Sequence, residues 1–217
     1  DWSHGNGVSY DLHDDSILVS LRHQDAIIKI DRKTKDIVWI LGDHDGWEGE
    51  LKEKLLTPTH DLRWHYHGHN PRVTGENQFV MYDNGVCRAM PFHGPSAPPH
   101  ECFSRAIEYR VDPEKMEVSE VWVSSSDDSE DRVISWAMGD AHRLKTTGNM
   151  LVIDSFCTPE GPELNRLGTV TVSDLMWDSW NRAGWHPNDF ATWGRIREMK
   201  RDGDQDVVFH VRVDNEH

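Results

Sequence analysis

The chain reads as all-β, and more narrowly as three four-stranded antiparallel blades of a β-propeller, the C-terminal half of a larger ring. Three observations predict this. One strand–turn–strand unit recurs three times along the 217 residues. Apolar and polar residues alternate within it, as in Ile28-Lys29-Ile30 and Val121-Trp122-Val123, the period of a half-buried strand. Each unit makes a four-stranded meander whose first strand lies nearest a polar motif, and first strands line the channel of a propeller.

The first blade spans roughly 2–42. Asp1-Trp2-Ser3-His4-Gly5-Asn6 leads into its first strand, and the polar turn Asp14-Asp15 opens a second at 16–20. Ile27 to Leu41 supplies the third and fourth strands. The second blade, 64–124, repeats the order: Trp64-His65-Tyr66-His67-Gly68-His69-Asn70, the turn Glu76-Asn77, a strand at 78–83, then Ala106 to Val123. The third, 135–213, has the turn Thr147-Gly148, a strand at 149–154 and a final pair within Gly194 to Val213. Connections at 43–63, 86–104 and 155–193 are long and rich in Gly, Pro, His and Trp, a length that usually marks functional loops. Three blades fall short of the roughly four to eight that close a ring, so an open, edge-exposed arc is expected. In such an arc Val8, Tyr10, Val73 and Leu144 would be under-buried, and the whole of 1–217 would form one partial propeller domain.

A formal charge of −15 and a pI near 5.3 make nucleic acid and anionic membrane poor partners. An anion site must therefore be local and built from Arg and His. No segment is long and apolar enough to cross a membrane as a helix. Ten Trp and 14 His suit a wet, aromatic-lined cavity. Three Cys leave an odd count; Cys87 and Cys102 flank one loop and would pair only in an oxidising compartment. Opening at Asp1 without Met or a leader, the chain reads as processed, trimmed or cut from something longer.

His4 and Asn6 at the start of one strand, with Arg22 one strand later, form a pocket for an oxyanion: imidazole and amide donate from one face, and guanidinium adds a permanent charge. Parts of the pattern return around Gly68-His69-Asn70-Pro71. Together with Asp14 to Gln24, Ile28-Lys29-Ile30-Asp31-Arg32, Val38 to Gly42, Tyr82-Asp83-Asn84-Gly85, Ser104 to Asp112 and Gly139 to Leu144, this ordered set resembles the bacterial aryl-sulfate sulfotransferases that do without the nucleotide sulfate donor. The resemblance implies a six-bladed propeller, a homodimer and a periplasmic or secreted setting. It implies transfer of a sulfuryl group from an aryl sulfate to a phenolic acceptor through a sulfohistidine, with no cofactor. By motif, His69 matches the nucleophile, and His4, Asn6 and Arg22 match the residues that hold the sulfate; as an imidazole, His4 could also donate to the leaving oxygen and later take the acceptor's proton. Two departures stand out. Ala137-Met138-Gly139-Asp140 occupies the place of a hydroxyl residue, and 51–68 lacks the cysteine pair of characterised members.

Alternatives stay open. A propeller that kept the pocket and lost catalysis fits the first departure. His65-x-His67-x-His69 on one strand face would invite Zn or Fe and a metal-dependent hydrolase, although no carboxylate sits at a useful spacing, and no metal is expected. His60, His65 and His67 serve packing or surface equally well. The acidic run 124–131 reads as a solvated turn, since it lacks the glycine a calcium loop needs. Trp177, Trp180, Trp185 and Trp193 fit either an aromatic acceptor site or simple packing.

Overall fold

The computed structural model describes residues 3–85, 103–125, 132–157, 193–203 and 206–214. Cys87, Cys102, Trp177, Trp180, Trp185 and the acidic residues 126–131 lie outside them. Within the described residues the first sheet holds β1 (Gly5–Asp11), β2 (Ser16–Leu21), β3 (Ala26–Asp31) and β4 (Ile37–Leu41), each antiparallel to the next. The middle sheet contains β5 (Thr57–Pro58), β6 (His69–Gly75), β7 (Gln78–Asp83), β8 (Arg105–Asp112) and β9 (Glu117–Val123). Its order is β5-β9-β8-β7-β6, with the short β5 running parallel to β9. The third sheet is β10 (Asp140–Arg143), β11 (Met150–Cys157), β12 (Trp193–Met199) and β13 (Val207–Asp214), again in chain order.

The repeat is written into the backbone as well as the side chains. Turns from first to second strand place Asp15, Asn77 and Gly148 in the left-handed region, at φ 56, 53 and 75°. Turns from third to fourth strand do the same with Lys35, Met116 and Gly203. In two of these, an aspartate at the strand end bonds the turn: Asp31 Oδ1 accepts the N–H groups of Lys33 and Thr34, both at 2.8 Å, and Asp112 Oδ1 accepts that of Lys115 at 3.1 Å. A third left-handed residue precedes a glycine at the entry to each first strand, in His4-Gly5, His67-Gly68 and Met138-Gly139.

The sheets pack face on face, and the middle one is covered on both sides. Phe79, Met81, Ile107 and Tyr109 meet Leu18, Ile27, Trp39 and Leu41 of the first sheet. Val80, Tyr82 and Ala106, on the opposite face of the pleat, meet Ala141, Met150 and Val152 of the third. Buried charge is paired there: Asp154 accepts from Tyr82 Oη at 2.7 Å, Arg195 Nε at 2.6 Å and an Arg197 guanidinium nitrogen at 3.0 Å. Trp193 lies buried against Val133 and Cys157, with Arg212 over its ring, so it packs the third sheet. Cys157 is a free, buried thiol pushed up to about 12, first by burial and then by Asp154.

The propeller expectation is corrected. Among the described residues the chain is all-β, but its three sheets are separate, of four, five and four strands, and none closes into a barrel or propeller. The blades are also not uniformly four-stranded, because Thr57–Pro58 adds a strand to the middle sheet. Ladder bonds between neighbours in sequence produce meanders regardless of closure, whereas a ring needs partner surfaces at both ends. Here Val8 and Tyr10 on β1 are 71% and 47% exposed, and β13 is exposed along its whole length.

Candidate active site

Strands β1 and β6 lie against each other, and their N-terminal ends carry the motif residues to the same end of the sheets. Contact is close because Gly7 has no side chain: a Cβ there would sit 2.8 Å from the Asn70 backbone nitrogen. Asn6 Nδ2 donates to the Gly68 carbonyl at 2.9 Å, and Asn6 Oδ1 accepts from the Ser20 hydroxyl. Asn70 repeats the first of these bonds one sheet on, donating to the Gly139 carbonyl at 3.0 Å. Asn6, expected to hold sulfate, therefore ties β1 to β6 with one of its two amide hydrogens.

His69 opens β6 and is 8% exposed. Its Nδ1 faces two acceptors, Asn84 Oδ1 at 2.6 Å and the His67 carbonyl at 3.1 Å. Its Nε2 faces one donor, the Met138 N–H at 3.3 Å. Two acceptors on one nitrogen and a donor on the other define a neutral ring with the proton on Nδ1 and a lone pair on Nε2. Burial is the main force lowering its pKa, and the Arg22 charge adds to it against the opposing bond from Asn84. The ring is thus held neutral, the form a nucleophile requires.

Arg22 begins the 3-10 turn Arg22–Gln24 and is buried. Its backbone N–H donates to the His4 carbonyl at 3.1 Å, which anchors the turn to the start of β1. Its guanidinium depresses four imidazoles: His4, His23, His67 and His69. His4 is exposed, at φ 46°, with its ring 5.0 Å from that of His23 and its pKa lowered by burial first and Arg22 second. His4 also lowers His69, so the two rings share one local field. One guanidinium, an exposed imidazole and a buried neutral imidazole whose Nε2 lone pair meets only the Met138 N–H, at 3.3 Å, form a place where an oxyanion could be held and attacked.

The other histidines divide by position. The strand-face reading of His65-x-His67-x-His69 is corrected, since only His69 belongs to β6 and His67 is left-handed at φ 56°. His65 is buried beside Tyr109, in edge contact at 6.1 Å between ring centres. His67 is buried, its Nδ1 directed at the Arg22 carbonyl at 3.3 Å, and burial then Arg22 lower it to about 3. His60 is exposed and bonds Thr59. Among the described residues no three His, Cys, Asp or Glu gather as metal ligands. Asp140, in the departure segment, forms a paired contact with Arg72 at 2.8 and 2.6 Å.

Sequence reasoning missed Asn84, His23 and the Met138 N–H. The third αL-Gly entry, Met138-Gly139, was legible as a copy of His4-Gly5 and His67-Gly68, and would have drawn that loop to the site.

Compared with known families, residues 1–216 match Arylsulfotransferase (ASST). The chain belongs to the arylsulfotransferase family. It is 33% identical over 138 residues to the arylsulfate sulfotransferase AssT of Escherichia coli O6:H1, and 32% over 140 residues to that of Lelliottia amnigena. Each match covers 56% of this chain and 22% of the relative, so this arylsulfotransferase chain spans about a fifth of the length of those proteins. A PQQ-bound aldose sugar dehydrogenase from Streptomyces coelicolor overlays 92% of this chain and 45% of its own at TM-score 0.40 and 10% identity, too slight a likeness to carry an argument.

Proposed function

We propose that this chain carries the sulfuryl-transfer centre of an aryl-sulfate sulfotransferase working through a sulfohistidine on His69. The observation that carries the reading is the His69 ring, neutral and buried, with Nδ1 committed to Asn84, the Nε2 lone pair turned to the Met138 N–H, and the whole ring within the field of the Arg22 charge. Family membership supports the same chemistry. Nε2 attacks the sulfur of an aryl sulfate, the S–O bond to the ring breaks, and its electron pair leaves on the aryl oxygen, which takes a proton from the imidazolium form of His4, the minor form at neutral pH given its lowered pKa, to become a phenol. A second phenol then attacks the sulfur, gives its proton to His4, and the N–S pair returns to Nε2. Arg22 offsets charge on the sulfuryl oxygens in both steps, as cations do in the related phosphoryl transfer. The scheme uses no cofactor, and its partners are small aromatic donors and acceptors.

One observation favours a second reading, an oxyanion-binding module without turnover: the Met138 N–H already faces Nε2 at 3.3 Å, where an attacking nitrogen must be open. A single experiment separates the two. The protein as encoded is incubated with an aryl sulfate and analysed by mass spectrometry at neutral pH. A labile sulfuryl adduct on the peptide holding His69, discharged by added phenol and lost in His69→Ala, is expected. Binding of aryl sulfate with no adduct would favour the module, and phenol release that survives His69→Ala would refute the proposal.

A further inference from the structure

We propose that Asn84 is a positioning residue that fixes His69 in the Nδ1–H tautomer and so aims the Nε2 lone pair at the reacting sulfur; this deepens the sulfohistidine reading and rests on it for its kinetic part. Asn84 follows β7 directly and is fully buried. An amide can be built either way round, so its orientation needs an argument. Its Nδ2 faces the Ser135 carbonyl at 2.9 Å, the Met138 carbonyl at 3.1 Å and the Ser135 hydroxyl at 3.4 Å. Reversed, the amide oxygen would confront two carbonyl oxygens, so Oδ1 must be the atom facing His69. The 2.6 Å contact to Nδ1 then requires the proton on Nδ1.

The amide is itself braced. The Asn84 backbone carbonyl accepts from Ser104 Oγ at 2.6 Å, and Ser104 Oγ accepts from the Ser135 N–H at 2.7 Å. Ser135 Oγ in turn donates to the Ser155 carbonyl. Ser104 thus holds the Asn84 backbone, the Ser135 and Met138 carbonyls hold its side-chain amide, and that amide holds the imidazole. The same Nδ2 bonds the segment whose Met138 N–H meets Nε2, so Asn84 sets both nitrogens of the ring at once. The rival for the role is the His67 carbonyl, which also lies 3.1 Å from Nδ1.

The test reads the tautomer without substrate. Protein labelled with 15N-histidine is studied by long-range proton–nitrogen NMR at neutral pH, with the His69 signals assigned by their loss in His69→Ala. The parent should show a protonated Nδ1 and an unprotonated Nε2. In Asn84→Leu the Nε2–H form should become populated, and phenol release should fall about 10–100-fold in kcat with KM little changed, because the residue orients the ring through its far nitrogen without touching substrate. Asn84→Asp keeps an acceptor at Nδ1 and adds charge, so it should retain the Nδ1–H form and move the acid limb of the kcat profile to higher pH. An Nε2–H ring in the parent, or an unchanged tautomer in a folded Asn84→Leu, would overturn the proposal and give the role to His67. Should Asn84→Leu fail to fold, an Asn84→Asp variant with an unmoved pH profile and an Nε2–H ring would overturn it equally. A parent that shows the tautomer yet forms no sulfuryl adduct would refute the sulfohistidine reading alone.

Discussion

Four imidazoles, at positions 4, 23, 67 and 69, lie within the field of the Arg22 guanidinium, and depth decides what that field does to each. His4 stays at the surface and keeps access to protons. His69 is buried but bonded on both nitrogens, which makes it a neutral ring of defined orientation. His67 is the extreme case, lowered from 6.5 to about 3 by burial and by Arg22. Its linkage has a definite sign. The folded value is depressed, so the unfolded chain takes up a proton near pH 6.5 that the folded chain refuses. Stability from this group is full above that value and is lost as pH falls towards about 3, at roughly 1.4 kcal/mol per pH unit. Asp25 acts in the opposite sense. Burial above all pushes its carboxyl well up, and the folded state then holds a proton that the unfolded state releases. The two are separated by comparing the parent with His67→Gln in urea titrations from about pH 6 to about pH 4. The parent should lose stability more steeply than the variant, by about 1 kcal/mol per unit. Parallel slopes would show that His67 is not held neutral.

At the scale of elements, the working feature is the entry to each first strand. A left-handed residue followed by glycine turns the chain, and an asparagine amide crosses from one first strand to the next glycine carbonyl, Asn6 to Gly68 and Asn70 to Gly139. Gly139 is the most constrained of these. It sits at φ 90°, and a Cβ would fall 2.3 Å from the Tyr82 ring, which Asp154 holds from behind. Gly139→Ala should cost about 2–4 kcal/mol, the sum of backbone strain and overpacking against a fixed ring. Chemical denaturation measures this, and a variant as stable as the parent would mean that the Met138-Gly139 entry gives way easily. The strand runs and polar turns were readable from alternation and from Asp, Asn and Gly at the reversals. The stitching amides were not, because nothing in a linear sequence says that Asn6 lies over Gly68.

Across the whole molecule, stability rests on the middle sheet, whose two faces meet the first and third sheets. Ile107 lies at the centre of the first interface with no exposure, whereas Val8 on β1 is 71% exposed. Ile107→Ala should therefore cost about 2–5 kcal/mol and Val8→Ser no more than about 0.5 kcal/mol in equilibrium unfolding. A large loss in Val8→Ser would show that β1 is covered in solution. A formal charge of −15 repels anions at long range, so the proposed centre must draw its anion through the local field of Arg22.

What the sequence alone determined is local. Period-two alternation fixed the strands, the turn residues placed the reversals, and the ordered motifs around His4, Asn6, Arg22 and His69 marked the family, because each depends on neighbours within a few residues. The tertiary structure decided everything that depends on distant partners. It left the sheets separate where a propeller was expected, since ladder bonds do not determine what covers the outer faces. It drew His67 and His65 into the core while leaving His4 exposed, since burial is a property of packing. It brought Asn84, 15 residues beyond His69, onto Nδ1, and the Met138 N–H, 69 residues beyond, onto Nε2, since a ring's tautomer is set by whatever the fold presses against it.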